Sequence, residues 1–359
     1  MRVLHVITDL NTGGAEKLMT ELLPRLSQDA IDVELCLFNG QDTPFLQKLA
    51  KSGIKIHNFG LTPDYYNPKH IRRLIKLAKG FDIVHTHNTP PQLFGAIAGL
   101  FTKARWITTE HTTSSHRRVW WFRHIERWMY HRYKHIICVS DAVADTVKEL
   151  SGKKDNSISV VTNGIDFDQF TNATPLSKDS IGRPELSKTI LLMVGRLSYQ
   201  KDQATIIKAL SLLPDNVELW LAGDGETKSE LKTLATNLGI DDRVQFLGLR
   251  SDVPQLLKTA DIVVHSSHIE AFGLAAVEAM AAGTPVIASD IPGLGEIVKD
   301  AGILFKHGDA EDLANRVRGL VAEPVLKDKL KARGYNVAAS YSIDRMAKNY
   351  RECYGSLLD

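Results

Sequence analysis

The sequence has few or none of several features that would indicate a particular class of function. It has only three cysteines, Cys36, Cys138 and Cys353, which lie far apart and form no C-x-x-C motif. We therefore expect no zinc site, and the scattered cysteines fit a reducing cytosol better than a disulfide framework. Charge is also nearly balanced, with 44 basic and 42 acidic residues. So mild a net charge does not by itself argue for a nucleic-acid partner.

Long apolar runs and the dinucleotide fingerprint are absent as well. No apolar stretch approaches the roughly 20 residues that span a bilayer. The start, MRVLHVITDL, lacks the longer apolar run and the cleavage site of a signal peptide. We therefore expect a cytoplasmic protein that at most contacts a membrane peripherally. G-x-G-x-x-G is missing after the first predicted strand, and no acidic residue ends the second, so a nicotinamide-binding function is disfavoured.

Short apolar runs alternate instead with longer segments of helix-like apolar spacing. At 359 residues the chain is too long for one ordinary core. The predicted strands of a first series cover 3–8, 33–38, 54–59, 83–86, 106–109, 136–139 and 159–162. Those of a second series cover 189–194, 217–222, 244–247, 262–265, 286–288 and 303–305. This alternation predicts an α/β protein of two Rossmann-like, doubly wound parallel-sheet domains, and we expect them to face each other across a ligand-binding cleft.

The domain boundaries are predicted from the place where this alternation pauses. Residues 171–188, TNATPLSKDSIGRPELSK, are polar and rich in Ser, Thr and Pro, which is typical of a linker. We therefore predict an N-terminal domain over 1–170 and a C-terminal domain over 189–341. The last segment, 342–359, has a helical pattern with no strand after it. We expect that helix to pack back towards the N-terminal domain.

Two cations and two carboxylates follow predicted strands of the second series. Arg196 comes directly after the strand 189–194 and Lys201 comes before the next helix, whereas Glu270 and Glu278 flank the apolar run AFGLAAV. Arg and Lys can neutralise a diphosphate as its bond to a sugar breaks. Glutamates can accept hydrogen bonds from sugar hydroxyls. The set is therefore suited to a sugar nucleotide, although an Arg–Lys pair alone is more often a solvated surface.

Glycines follow other strand ends. Gly13-Gly14 opens the first predicted helix, where a backbone without side chains and a helix N-terminus suit an anion, although a plain turn is the simpler alternative. Gly248-Leu249 follows the strand 244–247, and its backbone is placed to face a nucleobase.

These motifs, taken in order, resemble those of the retaining glycosyltransferases of family 4, which have the GT-B fold. The resemblance extends over nearly the whole chain. It includes GGAE near the start, NGID before the linker, VGR…K, AGDGE, FLG, and E-AFGLAAV-E followed by AMAAGTPVIASDIPG. It implies an acceptor-binding first domain and a second domain that binds the nucleotide-sugar donor.

The resemblance also implies roles for particular residues. Arg196 and Lys201 would bind the donor diphosphate. Glu270 would contact the donor sugar and Glu278 the ribose. His111 matches the family's histidine beside the anomeric carbon, but the family's frequent His-Asp is His111-Thr112 here, so what the Asp does is open. The expected catalytic residues are His111, Arg196, Lys201 and Glu270. The other expected donor-binding residues are Gly13, Gly14, Gly248, Leu249, Ala271, Phe272, Gly273, Leu274 and Glu278, and the expected acceptor-side residues are Glu16, His87 and Asn88.

We therefore expect a metal-independent retaining glycosyltransferase without a cofactor. It would move a hexosyl or N-acetylhexosaminyl group from a nucleoside diphosphate, UDP first, to a glycan or lipid-linked acceptor in cell-surface polysaccharide or glycolipid synthesis. Two alternatives stay open. One is a sugar-nucleotide epimerase or a phosphorylase on the same fold, and the other is a non-catalytic sugar-nucleotide-binding scaffold at the membrane.

A basic, aromatic segment at 116–135, HRRVWWFRHIERWMYHRYKH, carries several arginines and three tryptophans. Such a composition suits an anionic membrane surface. The alternative is an ordinary crossover helix in which Ile125, Trp128 and Met129 face the core. Because the basic residues are confined to this one segment, we expect no nucleic-acid partner.

Overall fold

The computed structural model describes residues 1–11, 13–28, 31–112, 122–177 and 188–358. Positions 116–121 of the basic, aromatic segment and 178–187 of the predicted linker therefore lie outside the described residues. The chain divides into two compact units. Unit 1 comprises Met1–Ile165 and Ile343–Asp359, and unit 2 comprises Asp166–Ser342.

Unit 1 contains, within the described ranges, a seven-stranded sheet in which every pairing is parallel. Its strands are β1 (Arg2–Ile7), β2 (Asp32–Leu37), β3 (Lys55–Asn58), β4 (Ile83–His87), β5 (Arg105–Glu110), β6 (His135–Cys138) and β7 (Ile158–Val160). Its helices are α1 (Gly14–Leu26), α2 (Pro44–Ala50), α3 (Lys69–Ala78), α4 (Thr89–Ala98), α5 (Phe122–Arg132), α6 (Asp141–Ser151) and α15 (Ile343–Leu358). The strand order is β3-β2-β1-β4-β5-β6-β7, so the order reverses between β1 and β4, where such sheets bind ligands.

Unit 2 contains a six-stranded parallel sheet among the residues that the structure describes. Its strands are β8 (Thr189–Val194), β9 (Val217–Ala222), β10 (Val244–Gly248), β11 (Ile262–His265), β12 (Val286–Ser289) and β13 (Ile303–Phe305). Its helices are α7 (Phe167–Thr171), α8 (Gln203–Ser211), α9 (Lys228–Asn237), α10 (Val253–Thr259), α11 (Leu274–Ala281), α12 (Leu294–Val298), α13 (Ala310–Ala322) and α14 (Pro324–Ala339). The order β10-β9-β8-β11-β12-β13 places the reversal between β8 and β11. The predicted fold class is confirmed, and each predicted strand is present within two residues of its predicted ends.

Local sequence explains where these elements begin and end. Strands such as RVLHVI in β1 and TILLMV in β8 are buried along most of their length, as strands covered by helices on both faces must be. Helix α6 begins where Ser140 Oγ accepts a hydrogen bond from Val143 N at 3.3 Å, and it ends at Gly152 in the left-handed region (φ 64°). Capping thus supplies partners for backbone groups that a helix leaves unpaired.

The C-terminal helix α15 is part of unit 1, where it packs beside α1. Arg25 Nε lies 3.1 Å from Asp344 Oδ1, and Arg351 Nη1 donates to Arg25 O at 2.9 Å. Tyr350 and Tyr354 are fully buried in the same hydrophobic cluster as the inward side of α1. No helix within the described ranges is long and apolar enough to cross a bilayer.

Candidate functional site

The loops that follow β8, β9 and β10 pack against one another through their backbones. Leu197 N donates to Asp224 O at 3.0 Å, and Gly223 N donates to Gly248 O at 2.8 Å. A Cβ on Gly223 would lie 1.9 Å from the carbonyl oxygen of Gly195. Only glycine fits there, so the sequence GDGE brings the strand-end loops of unit 2 into direct contact.

The loop after β8 is also fixed by one buried side chain. Gln203 donates from Nε2 to Arg196 O at 2.9 Å and accepts from Ser198 N at 3.3 Å. The Arg196 side chain itself belongs to an exposed residue. The backbone that carries Arg196 is therefore held at the carboxyl edge of the sheet while its guanidinium reaches solvent.

Lys201 and Glu270 form an ion pair between Lys201 Nζ and Glu270 Oε2. Their side chains are 29% and 20% exposed, so both charges are largely removed from water. The two residues were predicted to bind different parts of a donor, the diphosphate and the sugar. The structure brings them together as partners after the ends of β8 and β11, which are adjacent at the switch point, and their separate donor contacts stay predictions.

His265 ends β11 beside this pair and was missed in the sequence. Its ring is buried, and burial together with the charge of Lys201 lowers its pKa to about 4. Its Nε2 has no hydrogen-bond partner among the described residues. A single histidine at the end of an apolar strand gave no signal that would have distinguished it from a core residue.

Helix α11 begins at the same edge. Its N-cap Gly273 has φ 96°, and a Cβ there would lie 2.7 Å from Leu294 Cδ1. A Cβ on Gly293 would lie 2.6 Å from Glu270 O and 2.9 Å from Ala271 O, so the Glu270–Ala271 backbone rests directly on that glycine. The first amides of α11, which follow Gly273, form a helix N-terminus that favours an anion.

Three further predicted donor residues of unit 2 differ in exposure. Glu278 lies in the second turn of α11 and is only 5% exposed. Leu249, by contrast, is 67% exposed after Gly248, which has φ 66°. Phe272 is buried, and its ring meets that of Tyr341 edge-on with the centroids 5.3 Å apart.

In unit 1 the structure brings three of the predicted residues together at the ends of β1 and β4. Gly13 is the N-cap of α1, and a Cβ there would lie 2.0 Å from Glu16 Oε2. Asn88 Nδ2 donates to Glu16 Oε1 at 3.4 Å, and the backbone of Asn88 has φ 65°. Asn88 is one of only two residues other than glycine with positive φ in the described chain, which marks a constrained position.

His111 and His87 are joined to a longer buried network, which we call the histidine–tyrosine chain. It consists of six successive hydrogen bonds between side chains. They are His111 Nε2 to His87 Nδ1 (3.1 Å), His87 Nε2 to His5 Nδ1 (3.0 Å), His5 Nε2 to Tyr354 Oη (3.1 Å), Tyr354 Oη to His85 Nδ1 (2.7 Å), His85 Nε2 to Thr109 Oγ1 (2.7 Å) and Thr109 Oγ1 to Tyr350 Oη (3.0 Å).

Burial keeps the histidines of this chain neutral. It lowers the pKa of His5 to about 3 and that of His111 to about 4. The pKa values of His85 and His87 are lowered well below the ordinary range by burial and by the neighbouring rings. The sequence did offer a signal for the missed members, because His85-Thr86-His87 alternates on one face of a buried strand.

Three members of the chain also form the one group of the described residues whose geometry would admit a metal ion. Ligand atoms of His5, His85 and His87 all lie within 4.8 Å of one another. Each ring nitrogen of these three residues is, however, already engaged in one of the hydrogen bonds of the chain. The donor set thus fits a hydrogen-bonded network as it stands.

Within the basic, aromatic segment, the described helix α5 is amphipathic. Met129 and Tyr130 are buried, as the crossover-helix alternative requires. Ile125 and Trp128, which that alternative places in the core, are 37% and 36% exposed, so this part of it is wrong. The Arg132 guanidinium lies 5.4 Å from the centre of the Trp128 ring. Residues 125 and 128 lie nearly one turn apart on the helix, so they share a face and reach solvent rather than the core.

Comparison with known proteins identifies the class to which this fold and these strand-end motifs belong. The description "Glycosyltransferase Family 4" matches residues 12–169, and "Glycosyl transferases group 1" matches residues 178–337. The chain belongs to glycosyltransferase family 4, and its two Rossmann-like domains are those of the GT-B fold. The predicted family is therefore confirmed.

Particular relatives carry the comparison further. The chain is 31% identical to a lipopolysaccharide core biosynthesis glycosyltransferase of Rhizobium meliloti over 62% of its own length and 64%, slightly under two thirds, of that protein. It is 30% identical to the D-inositol 3-phosphate glycosyltransferase of Corynebacterium urealyticum over 77% of this chain and 72% of that one. It is 25% identical to the UDP-Gal:alpha-D-GlcNAc-diphosphoundecaprenol alpha-1,3-galactosyltransferase of Escherichia coli, over 99% and 96%.

Among solved structures, that of the Anabaena protein HepE in complex with UDP-glucose superposes with a TM-score of 0.86. The match covers 99% of this chain and 100% of that one at 24% identity. At that identity the likeness establishes the fold.

Proposed function

We propose that this protein is a retaining glycosyltransferase that transfers a hexosyl or N-acetylhexosaminyl group from a UDP-sugar. The acceptor is a glycan or a lipid-linked glycan of cell-surface polysaccharide or glycolipid synthesis. The names of the relatives support this choice, because the Rhizobium protein is assigned to lipopolysaccharide core synthesis and the Escherichia coli protein to a diphosphoundecaprenol-linked acceptor. The HepE complex with UDP-glucose supports UDP as the nucleotide.

The observation that carries the proposal is the Lys201–Glu270 pair at the switch point of the unit 2 sheet. An ammonium and a carboxylate that neutralise each other in a largely buried place can be separated by a ligand that offers the opposite groups to both. A sugar diphosphate does so, since its phosphate oxygens accept from Lys201 and its sugar hydroxyls donate to Glu270. The amides at the start of α11 favour the same anion.

The rate acceleration follows from charge that develops during the reaction. As the bond between the anomeric carbon and the diphosphate breaks, negative charge grows on the phosphate oxygens and positive charge on the sugar ring. Arg196 and Lys201 stabilise the first of these more strongly in the transition state than in the bound donor. In this proposal they supply the positive charge that a divalent cation supplies elsewhere, and Glu278 binds the ribose.

In this proposal His111 is the residue of unit 1 that contacts the transferred sugar, and Glu16 and Asn88 lie on the acceptor side. His87 was also predicted there, but it is fully buried with both ring nitrogens hydrogen-bonded, so it supports His111 from within the fold. Glu16 and Asn88 hydrogen-bond each other at 3.4 Å beside Gly13. Such a polar pair next to a helix N-terminus is suited to hydroxyl recognition. Helix α5, with exposed Ile125 and Trp128 among arginines, is proposed to contact anionic lipid where the acceptor is anchored.

The test is a transfer assay with purified protein and a panel of UDP-glucose, UDP-galactose, UDP-N-acetylglucosamine and GDP-mannose. Diphosphoundecaprenol carrying one sugar serves as the first acceptor. We expect release of UDP that requires the acceptor, is insensitive to EDTA, and yields a product with the donor's anomeric configuration by NMR. An inverted product would refute the retaining mechanism, and UDP release or donor isomerisation without acceptor would favour a phosphorylase or an epimerase.

A matched pair of variants separates catalysis from simple binding. Arg196→Ala is expected to lower kcat about 100- to 1000-fold, as the loss of one preorganised charge-stabilising group does. Arg316→Ala, which removes an exposed arginine that pairs with Asp312 at 3.1 Å, serves as the control and should leave kcat unchanged. A protein that binds UDP-sugar but shows no turnover with any pair of substrates would instead be a scaffold.

A further inference from the structure

The histidine–tyrosine chain has a direction that follows from counting protons. It contains seven groups joined by six hydrogen bonds. A neutral imidazole carries one N–H and each hydroxyl carries one O–H, so the seven groups have one proton each. Six bonds use six protons. One proton is therefore left over, and the chain is free of unsatisfied buried donors only if that proton points outwards from one end.

The two ends differ in their surroundings. Tyr350 is completely buried, and Thr109 Oγ1 is its hydrogen-bond partner among the described residues. If the leftover proton belonged to Tyr350, its O–H would have no acceptor. His111, at the other end, is only partly buried, and its Nδ1 faces no hydrogen-bonding partner within the described ranges. The leftover proton is therefore best placed on His111 Nδ1.

The direction then propagates through every bond. Tyr350 donates to Thr109, which donates to His85, and His85 donates to Tyr354. Tyr354 donates in turn to His5 Nε2, His5 Nδ1 donates to His87, and His87 Nδ1 donates to His111 Nε2. The reversed direction would leave the buried Tyr350 O–H without an acceptor. It is disfavoured because an unsatisfied buried polar group costs free energy.

We propose that the histidine–tyrosine chain holds His111 as the Nδ1–H tautomer and that Tyr354 of α15 is the positioning residue that sets this direction. His111 then presents an N–H donor to its ligand, with its only lone pair engaged by His87. It cannot take a proton through Nδ1. The tautomer is inferred from the hydrogen-bond network alone. Its use, which is to donate to an oxygen of the bound sugar or diphosphate, rests on the proposed function.

Tyr354 is the member whose loss removes the direction. Its hydroxyl is shared between His5 Nε2 and His85 Nδ1, at 3.1 and 2.7 Å. Without it, one direction leaves a lone pair on His5 Nε2 unpaired and the other leaves an N–H unpaired there. These penalties are of the same kind, so the bias between the two tautomers of His111 shrinks.

Tyr350 provides a matched control on the same helix. Tyr350→Phe removes one bond and one proton together, so six groups with six protons share five bonds and one proton is again left over. Thr109 is then the buried end of the chain, and the reversed direction would leave its O–H without an acceptor, so we expect the direction to be kept. Tyr350→Phe and Tyr354→Phe make the same chemical change to two fully buried tyrosines of α15, so a general loss of packing would affect both alike.

The experiment is a long-range proton–nitrogen NMR correlation on the full chain labelled with ¹⁵N-histidine at pH 7.5. The chain has 13 histidines, so the signals of His111 are identified by their disappearance in His111→Gln. In the unmodified protein we expect Nδ1 of His111 to have the shift of a protonated nitrogen and Nε2 that of an unprotonated one. The opposite assignment would overturn the proposal without any variant.

The variants give the second readout. In Tyr350→Phe the two nitrogen shifts of His111 should stay as they are, and in Tyr354→Phe they should approach each other as the tautomers mix. With both tautomers equally populated in the free protein, only half of the molecules present the N–H donor, so kcat/KM for the donor should fall about two-fold. Unchanged shifts in Tyr354→Phe would overturn the positioning role.

Two further outcomes distinguish the proposed tautomer from a metal site and from the proposed function. Stoichiometric uptake of added Zn²⁺ with loss of the His5, His85 and His87 signals would show a metal site in place of the chain, and it would overturn the proposal. The proposed function can fail independently, because the tautomer is read without turnover. A correct tautomer in a protein that transfers no sugar would leave the chain intact and refute only its assigned use.

Discussion

Replacing Lys201 by methionine is expected to destabilise the protein because it leaves the Glu270 carboxylate without its cation. The side chains are 29% and 20% exposed, which places the pair between the buried and exposed extremes. Removing one partner of a fully buried pair costs about 3–5 kcal/mol, whereas an exposed pair contributes about 0–1 kcal/mol. We therefore expect Lys201→Met to lower the free energy of unfolding by about 1–3 kcal/mol.

A double-mutant cycle isolates the pair from other effects of the substitutions. Glu270→Gln removes the opposite charge, and the double variant Lys201→Met/Glu270→Gln leaves no unpaired charge. We expect the double variant to be more stable than the sum of the single losses predicts, with a coupling energy of about 1–2 kcal/mol. The measurement is urea unfolding of all four proteins, compared through their midpoints at equal slope.

An exposed pair in the same unit provides the control. Lys331 and Asp328 lie 3.4 Å apart on α14 with side chains 41% and 77% exposed. Lys331→Met should cost no more than about 0.5 kcal/mol. Additive losses for Lys201 and Glu270, within about 0.3–0.5 kcal/mol, would refute the ion pair as a stabilising contact.

Turnover separates stability from function in the same four proteins. If the two residues serve the donor, the double variant recovers stability but not activity, because neither the phosphate contact nor the hydroxyl contact returns. We expect a loss in kcat/KM of at least about 100-fold in the double variant. Recovery of activity together with stability would refute the proposed roles and leave the pair as a structural contact.

Three other predictions concern backbone, pH and membrane. Gly223→Ala should lower the free energy of unfolding, measured in urea, by about 3 kcal/mol because the new Cβ would lie 1.9 Å from a backbone oxygen. Gly239→Ala is the control, because Gly239 has φ 67° and open space around it, and it should cost only about 1 kcal/mol. Equal losses would contradict the close packing of the loops. Burial lowers the pKa of the histidines in the histidine–tyrosine chain, that of His111 to about 4, from an ordinary 6.5. The unfolded chain therefore binds protons below pH 6.5 that the folded chain does not. The free energy of unfolding should be level above that pH and fall towards pH 4 by up to about 1.4 kcal/mol per pH unit for each such histidine. Urea titrations at several pH values measure this dependence, and a flat profile would refute it. The affinity for phosphatidylglycerol vesicles, measured by cosedimentation, should fall by about 2 kcal/mol, or roughly thirty-fold, in the double variant Arg123→Gln/Arg127→Gln. Phosphatidylcholine vesicles should bind neither protein. Equal binding of both proteins to anionic vesicles would exclude α5 as the contact.

The strands could be predicted because parallel sheets leave their chains little freedom. A strand covered on both faces is apolar throughout, so β8 and β11 are recognisable as short uninterrupted runs. Polar residues directly after such runs must lie at the carboxyl edge of a sheet. That reasoning places Arg196 and Glu270 at one edge without any knowledge of the structure. Their roles in donor binding stay predictions.

The pairing of side chains could not be predicted, because it depends on distances across the fold. Lys201 and Glu270 are 69 positions apart, and His5 and Tyr354 are 349 positions apart. Nothing in the local sequence of α15 indicates that its two tyrosines meet a buried histidine. The exposure of Ile125 and Trp128 was equally hidden, since helical spacing alone does not say how far an apolar face is covered.

The place of α15 in unit 1 has a consequence for synthesis of the protein. Unit 2 is one continuous segment, Asp166–Ser342, and can fold as soon as it leaves the ribosome. The strands of unit 1 are made first but lack Tyr350 and Tyr354 until roughly 190 further residues have been added, which takes about 10–40 s at about 5–20 residues per second. During that interval His5 Nε2 and His85 Nδ1 lack the Tyr354 hydroxyl that they share in the folded protein, so the earliest part of the chain to be translated is the last to become complete.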